Sequence, residues 1–129
     1  MTIEPFIKSA DIKRSLDFYV NVLDFIVVQA PDPDPSSFMS NYALLAREGC
    51  NVHLSAHSSD GAFGCVLYIR VGDIDSLYRK FVDNGLQTEP LTGQPSLRIP
   101  PVDQTWGMRE FSVTDPDGNK LTFGHSLSV

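Results

Sequence analysis

The chain has 129 residues, of which 42% are hydrophobic and 20% charged, with a formal net charge of -6 and a pI near 4.8. This size fits one compact domain, and no apolar run approaches the about 20 residues that a membrane-spanning helix requires. The acidic balance, without a cluster of Lys or Arg, argues against a nucleic-acid surface and favours cationic ligands slightly. Because Met1–Pro5 lacks the basic and apolar regions of a signal peptide, we expect a cytoplasmic protein. Cys50 and Cys65 form no CxxC pair, so we expect reduced, partly buried thiols.

The first half of the chain predicts one helix among four strands. Asp11 is a suitable N-cap for a helix that runs to about Leu23, because its carboxylate can accept backbone N–H groups of the first turn. The apolar residues of this helix recur with helical spacing and predict one buried face. They are Ile12, Leu16, Tyr19, Val20 and Leu23. The predicted strands are Ile3–Lys8, Phe25–Gln29, Tyr42–Arg47 and Asn51–Ala56.

The second half predicts the same succession. A helix from Asp73 to about Asn84 is followed by Gly85, where a left-handed C-terminal cap is needed. Its predicted buried residues are Ile74, Leu77, Tyr78, Phe81 and Val82. The predicted strands are Gly64–Val71, Leu86–Glu89, Met108–Thr114 and Lys120–His125, and the turn between the last two is Asp115-Pro116-Asp117-Gly118-Asn119.

The two halves are related by an offset of 62 residues. Asp11-Ile12 and Asp73-Ile74 begin the two helices, and Tyr19 aligns with Phe81. The repeat predicts an α+β protein, a single domain made of two βαβββ modules at about 1–60 and 61–129. Two similar modules side by side leave a cleft, and we expect function to lie there.

Two loops rich in proline follow the second strand of each module. Pro31–Ser37 is expected to be exposed, because alternate prolines cannot donate to a strand ladder. Thr92–Thr105 also carries several Gly and Pro residues. Both loops either border the cleft or merely connect strands.

Several segments resemble the vicinal-oxygen-chelate superfamily, which includes glyoxalase I, extradiol dioxygenases, fosfomycin-resistance enzymes and bleomycin-resistance proteins. Ser9–Tyr19 and Asp115–Asn119 are typical of the superfamily. Val52–Ala56, Val71–Tyr78 and Trp106-Gly107-Met108-Arg109-Glu110-Phe111 resemble its bleomycin-resistance branch. The resemblance covers nearly the whole chain, and paired βαβββ modules are the fold that it implies.

The resemblance also implies a test for metal chemistry. Enzymes of the superfamily hold a divalent ion with side chains from the first and fourth strands of each module. The corresponding positions here are Glu4, His53, Val66 and Thr122. Valine has no lone pair and threonine is a poor ligand, whereas a catalytic metal usually needs three protein ligands. We therefore expect no metal and no cofactor, which argues against glyoxalase, dioxygenase and thiol-transferase chemistry.

Other polar residues leave alternatives open. Glu110 either faces the cleft or forms an ion pair with Arg109 or another neighbour. His57 is expected in an exposed loop, and His125 near the surface. We find no arrangement of catalytic Ser, His and Asp or of Cys and His, so no catalytic residue is assigned.

The resemblance implies a ligand-binding role for Trp106, which lines the drug crevice in the bleomycin-resistance branch, where it stacks on flat ring systems. Tyr68 lies at a position that is often aromatic in that branch. Alternation in the strand places Tyr68 on one face with Val66 and Arg70. The further candidates for ligand contacts are Phe38, Tyr42, His53 and Glu110, although core packing is the alternative for Phe38 and Tyr42.

The resemblance therefore implies a metal-independent small-molecule binder that sequesters a planar or cationic compound, for example a bleomycin-like one, in antibiotic resistance. The resemblance implies a homodimer, and neither nucleic acid nor membrane is an expected partner. One alternative is a metal-dependent enzyme of the glyoxalase or dioxygenase type with a shifted ligand set drawn from Glu4, His53, His57 and Glu110. Another is a protein that binds an ordinary metabolite.

Overall fold

The computed structural model describes residues 1–88 and 100–128, which form two compact units. Unit 1 contains Met1–Cys65 and Pro116–Asn119, and unit 2 contains the described residues of 66–115 and 120–128. Each unit has a four-stranded mixed sheet and the element order β-α-β-β-β, which confirms the predicted α+β fold of paired βαβββ modules. Within the described residues, no helix is long and apolar enough to cross a membrane.

Unit 1 is built on a sheet in which β4 lies beside β1 and β3. Its strands are β1 (Phe6–Lys8), β2 (Ile26–Gln29), β3 (Tyr42–Arg47) and β4 (Cys50–Ser55). Their spatial order is β1-β4-β3-β2, with β1 and β4 parallel and the other pairs antiparallel. Hence β2 is an edge strand. The sheet and its helix bury apolar residues that include Ile7, Tyr19, Leu23, Leu45 and Leu54.

The helix of unit 1 changes its winding half-way along. Asp11 is its N-cap, as predicted, and accepts a hydrogen bond from the Arg14 backbone N–H at 3.2 Å. The α-helix α1 (Ile12–Leu16) continues as a π-helical segment, Asp17–Val22, which periodicity did not predict. A π-helical turn holds more residues than an α-helical turn, so it can absorb an inserted residue.

Unit 2 repeats the topology around an aromatic core. Its elements are β5 (Val66–Arg70), α2 (Ile74–Asp83), β6 (Val102–Asp103), β7 (Met108–Thr114) and β8 (Lys120–Ser126), with strand order β5-β8-β7-β6. Phe81 of α2 contacts Phe111 and Phe123 edge-on, with ring centroids 5.9 and 5.3 Å apart. Asp73 caps α2 and Gly85 follows it at φ +103°, both as predicted. Val82, however, is exposed rather than buried.

The prediction of a strand at Leu86–Glu89 is wrong over its described part. Residues 86–88 belong to no strand, and Glu89 lies outside the described residues. Leu86 is buried because it completes the helix end, where its backbone N–H donates to the Phe81 carbonyl at 2.9 Å. The second strand of unit 2 is β6, which pairs antiparallel with β7. It lies within the predicted loop Thr92–Thr105, of which residues 92–99 are outside the described residues.

The loop Pro31–Ser37 has no strand structure and is largely exposed, as predicted. Local hydrogen bonds hold it: Asp34 N–H donates to Asp32 and Ser36 N–H donates to Asp34, both at 3.0 Å. These backbone donors lower the pKa of both aspartates. The loop leads into a 3₁₀ helix, Phe38–Asn41, immediately before β3.

Neither Cys50 nor Cys65 forms a disulfide with another described residue. Cys65 is half-buried, as expected, whereas Cys50 is exposed because it begins β4 directly after the turn from β3. The expectation of partial burial was therefore wrong for Cys50.

Candidate ligand-binding site

Three of the predicted site residues lie together in unit 2: Tyr68, Trp106 and Glu110, here called the aromatic–carboxylate cluster. Tyr68 comes from β5, Glu110 comes from β7, and Trp106 lies two residues before the first residue of β7. The Tyr68 hydroxyl donates to Glu110 Oε2 at 2.5 Å, and the Trp106 indole N–H donates to the same oxygen at 3.2 Å. One carboxylate oxygen therefore orients both aromatic side chains.

Glu110 itself is buried, with only 7% of its surface exposed. Within the described part of the chain it forms no salt bridge, and the two side-chain hydrogen bonds that it accepts there come from neutral donors. Burial of the Tyr68 phenol raises its pKa to about 12. The hydrogen bond to Glu110 and the negative charge of Glu110 contribute further to this increase. The phenol is therefore protonated at neutral pH and acts as a donor.

The predicted alternative of an ion pair between Arg109 and Glu110 is wrong. Arg109 contacts Asp75 at 2.9 Å and Asp103 at 2.8 Å. These hydrogen bonds raise the pKa of Arg109, and the bond from Arg109 lowers that of Asp75. Successive residues of a strand point to opposite faces, so Arg109 and Glu110 meet different neighbours.

The aromatic rings of this cluster remain accessible to solvent. Trp106 is 64% exposed and Tyr68 48% exposed, although both are hydrogen-bonded to a buried group. Val66 and Arg70 are exposed as well, as the predicted alternation in β5 requires. The cluster thus presents fixed aromatic surface around a carboxylate that forms no salt bridge with any described residue.

Three further candidates meet in unit 1: Glu4, Tyr42 and His53, here called the histidine cluster. His53 Nε2 lies 2.8 Å from Glu4 Oε1, and His53 Nδ1 lies 2.5 Å from the Tyr42 hydroxyl. In a neutral imidazole, Nε2–H donates to the carboxylate and Nδ1 accepts from the phenol. Phe6 stacks on the imidazole with ring centroids 4.3 Å apart and planes 2° from parallel. Asn51 donates to the other oxygen of Glu4 at 3.3 Å.

Two groups of the histidine cluster, Glu4 and Tyr42, have pKa values that depart from their ordinary values. Hydrogen bonds from His53 and then from Asn51 lower the pKa of Glu4. Burial and the nearby Glu4 charge raise the pKa of Tyr42. At neutral pH this arrangement therefore contains an anionic carboxylate and a protonated phenol.

Strand register shows that the two clusters occupy equivalent positions in their units. Phe6 pairs with His53 between β1 and β4, and Tyr68 pairs with Thr122 between β5 and β8. His53 pairs with Leu44, and Thr122 pairs with Ser112. Leu44 and Ser112 are therefore equivalent. Tyr42 lies two residues before Leu44 and Glu110 lies two residues before Ser112, so Tyr42 is the counterpart of Glu110. Phe6 was not predicted as a site residue, although the 62-residue offset makes it the counterpart of Tyr68.

Phe38 and two histidines lie outside both clusters. Phe38 is exposed on one side and stacks on His57 with centroids 3.8 Å apart and planes 9° from parallel. His57 is therefore half-buried rather than exposed, and its Nε2 is buried without a hydrogen-bond partner among the described residues. His125 Nδ1 accepts the backbone N–H of Ile74 at 3.1 Å and so helps to cap α2.

The donor set does not fit a divalent ion of the kind that enzymes of the resembled superfamily use. Glu4 and His53 supply two ligands, but Val66 has no donor atom. Thr122 is buried, with its hydroxyl 2.8 Å from that of Ser112. Across residues 1–88 and 100–128, no three His, Cys, Asp or Glu side chains are grouped as a metal site would require.

Fold and sequence together define the class of this protein. The family model of the Glyoxalase/Bleomycin resistance protein/Dioxygenase superfamily matches residues 6–123, and the chain belongs to that superfamily. Proteins named bleomycin resistance protein, from Geobacillus stearothermophilus and Staphylococcus aureus, are 28% identical over 92% of this chain and 92% of their own length.

Solved structures show the same fold. A bleomycin-binding protein complexed with bleomycin matches with a TM-score of 0.74 and 23% identity over 98% of both chains. A bleomycin-binding protein from bleomycin-producing Streptomyces verticillus, complexed with copper(II)-bleomycin, matches with a TM-score of 0.71 and 24% identity. That match covers 95% of this chain and 93% of the other.

Proposed function

We propose that this protein is a metal-independent small-molecule binder that sequesters a planar or cationic compound. The observation that carries the proposal is the aromatic–carboxylate cluster, in which exposed Trp106 and Tyr68 are fixed around the buried charge of Glu110. Binding sites of this kind combine apolar surface with a few placed polar groups. A stoichiometric binder of this sort protects a cell by keeping its ligand from the target, which makes antibiotic resistance the role that we propose.

The cluster suits a ligand that joins a flat ring to a positive charge. A planar ring of the ligand can stack on the indole of Trp106. A cationic group of the ligand placed over the indole gains roughly 1 kcal/mol by cation–π attraction. Glu110 adds attraction because its charge has no cationic partner in the described residues. The names of the similar proteins point to bleomycin-like compounds, and an ordinary cationic metabolite would use the same chemistry.

Titration with metal-free bleomycin tests the proposal directly. Trp106 is the only tryptophan, so its emission reports the site without interference. We expect a saturable change at micromolar ligand, and about tenfold weaker binding by calorimetry for Trp106→Ala and for Glu110→Gln. Glu48→Gln, at an exposed carboxylate in unit 1, is the matched control and should bind like wild type.

The outcomes of this titration are distinct. Saturable binding that Trp106→Ala weakens supports the drug-binding form of the proposal. Failure of bleomycin to bind, together with binding of smaller planar cations, would identify a metabolite binder instead. Failure of both ligand classes would overturn the proposed function.

Divalent-ion calorimetry on tag-free protein separates a binder from an enzyme. We expect no tight binding of Ni, Zn, Mn or Fe(II), because Glu4 and His53 alone provide too few metal-coordinating side chains. Tight binding of one ion per chain that is lost in Glu4→Ala would contradict this count. It would favour a metal-dependent enzyme with a shifted ligand set instead.

We also propose that the protein forms a homodimer. In support, the edge strand β2 exposes three consecutive aliphatic side chains, Ile26, Val27 and Val28. Exposed apolar edge strands tend to be covered by pairing with another chain. Pairing of two copies would cover these side chains symmetrically.

A further inference from the structure

Gly124 lies directly beneath the contact between Tyr68 and Glu110. It belongs to β8, which separates β5, the strand of Tyr68, from β7, the strand of Glu110. Neighbouring strands are about 4.8 Å apart, so the two side chains start from strands about 10 Å apart. The phenol must therefore cross β8 to reach the carboxylate.

The register shows where this crossing takes place. Tyr68 pairs with Thr122, whereas Glu110 pairs with Gly124, two residues further along the same strand. Residues two apart in a strand share a face, so the phenol leans from the Thr122 position over the Gly124 position. A glycine is found where the crossing occurs.

A side chain at position 124 would occupy the space that the phenol uses. A Cβ built on Gly124 would overlap the Tyr68 hydroxyl oxygen, and would lie 3.2 Å from Tyr68 Cζ and 3.3 Å from Glu110 Cγ. Gly124 is not among the residues with positive φ, so its backbone conformation is open to any residue. Space, and not backbone freedom, is what requires glycine here.

The position in unit 1 that is equivalent to Gly124 carries a side chain and is Ser55. Ser55 pairs with Tyr42 as Gly124 pairs with Glu110. Ser55 carries a side chain, whose hydroxyl donates to Asp60 at 2.8 Å. The counterpart of Tyr68 in unit 1 is Phe6, which has no hydroxyl to donate. Tyr42 instead bonds to His53.

We propose that Gly124 is a positioning residue that sets the ligand preference of the aromatic–carboxylate cluster, by leaving room for Tyr68 to fix Glu110. The inference rests on the proposed function and adds to it a residue outside the cluster that determines how the Glu110 carboxylate is held. With Tyr68 in place, Glu110 Oε2 is held by two donors and Trp106 is oriented by the same oxygen. Without that contact, the carboxylate loses a donor and the indole loses its fixed partner.

The first test needs no ligand. In Gly124→Ala, the half-exposed phenol can swing into solvent, so the chain should fold while the hydrogen bond to Glu110 is lost. Burial and the contact with Glu110 raise the pKa of the Tyr68 phenol to about 12, and we expect this pKa to fall towards the ordinary value of 10.0 in Gly124→Ala. The measurement is tyrosinate absorbance against pH. Each protein, wild type and Gly124→Ala, is compared with the same protein carrying Tyr68→Phe, and the difference in absorbance gives the titration of Tyr68. Trp106 emission at pH 7 should also change.

The second test is a double-mutant cycle with metal-free bleomycin. Gly124→Ala should weaken binding about tenfold, which corresponds to loss of one hydrogen bond to a charged group. In a Tyr68→Phe background the contact is already absent, so Gly124→Ala should cause little further loss. Gly72→Ala is the matched control, because Gly72 also lies in unit 2 with ordinary φ, and a Cβ there would meet no atom within 4 Å.

The two tests separate the inference from the proposed function. If wild type does not bind bleomycin but Gly124→Ala lowers the titration point of Tyr68, the positioning role stands and the ligand is wrong. If Gly124→Ala leaves both the titration of Tyr68 and the emission of Trp106 as in wild type, the positioning role is overturned. Equal losses of affinity from Gly124→Ala with and without the Tyr68 hydroxyl would also overturn it.

Discussion

The contact between Glu4 and His53 gives a prediction that concerns single residues. The hydrogen bond from His53 is the largest cause of the lowered pKa of Glu4, whose ordinary value is 4.5. In His53→Ala we expect the Glu4 pKa to rise towards that value, because only the bond from Asn51 remains. Carboxyl carbon NMR against pH measures this change, and Asn51→Ala should produce a smaller rise.

The sign of the effect on stability follows from the direction of the shift. Because folding lowers the pKa of Glu4, this contribution to stability is fully present above the ordinary value. It is lost as the pH falls through the lowered value. His53→Ala should therefore flatten the acid side of the stability profile below the ordinary Glu4 pKa of 4.5. An unchanged Glu4 titration in His53→Ala would show that the contact is absent in solution.

Single residues were predicted in part, and the gap has a physical reason. The sequence indicated Trp106, Tyr68 and Glu110 as site residues but left open what Glu110 contacts. Pairing of Glu110 with Tyr68 depends on the register of three strands, and register is set by the whole sheet rather than by local pattern. The importance of Gly124 depends on the same register, so the sequence alone gave no reason to select it.

At the level of elements, the two helices differ by one residue. Asp24, at φ +63°, ends the first helix 13 residues after Asp11, whereas Gly85 at φ +103° follows Asp73 by 12. The Phe25 N–H bonds to the Tyr19 carbonyl as the Leu86 N–H bonds to the Phe81 carbonyl. The first pair is one residue further apart along the chain. The π-helical segment absorbs that residue, so a uniform offset of 62 could predict the helix but not its winding.

Asp24 offers a test of this helix end. Glycine adopts positive φ without the steric cost that other residues incur, so Asp24→Gly should increase the free energy of unfolding by about 0.5 to 1 kcal/mol. Asp24→Asn is the control for charge, because it removes the 3.7 Å ion pair with Arg47 while retaining a side chain. Urea unfolding measures both variants. A Gly variant no more stable than the Asn variant would mean that this backbone conformation carries no cost.

The strand missed at Val102–Asp103 also belongs to this level. It has only two residues, and its pairing with β7 is reinforced by the ion pair between Asp103 and Arg109. Such a short strand has no periodicity of its own that could predict it. The strand was predicted at Leu86–Glu89 instead, because the apolar side chain of Leu86 suits a strand as well as a helix end. Long elements with clear periodicity, such as Met108–Thr114, were predicted with their observed bounds.

For the whole molecule, the internal repeat was the most reliable signal. It predicted the order of elements in both units, because each module must bury the same helix face against its own sheet. Asp11 and Asp73 cap their helices through the same contact, at 3.2 Å in both cases, and Tyr19 and Phe81 are both fully buried. The repeat did not predict how the equivalent positions would differ in chemistry. One unit places a histidine there with a carboxylate, and the other places a carboxylate with two aromatic donors.

The edges of the two sheets differ in a way that bears on assembly. In unit 2, the edge strand β6 carries Asp103, which is ion-paired with Arg109. In unit 1, the edge strand β2 has no charged residue, and its register with β3 shifts between Val27 and Gln29. Val28 falls in this irregularity and is 57% exposed. Charge at a strand edge disfavours pairing with other chains. Among the described edge strands β1, β2, β5 and β6, only β2 carries no charged residue, so we expect a second copy to pair there.

Val28→Lys tests whether β2 forms the interface of the proposed homodimer. Because Val28 lies outside the regular ladder, the substitution should leave the fold intact while it places one charge per chain in the interface. Two such charges repel each other and are desolvated on pairing, so we expect the dimer to weaken at least tenfold. Sedimentation velocity over a range of concentrations measures this, and Val82→Lys, on the exposed side of α2, is the control. A wild-type protein that stays monomeric, or a Val28→Lys variant that dimerises like Val82→Lys, would refute the interface.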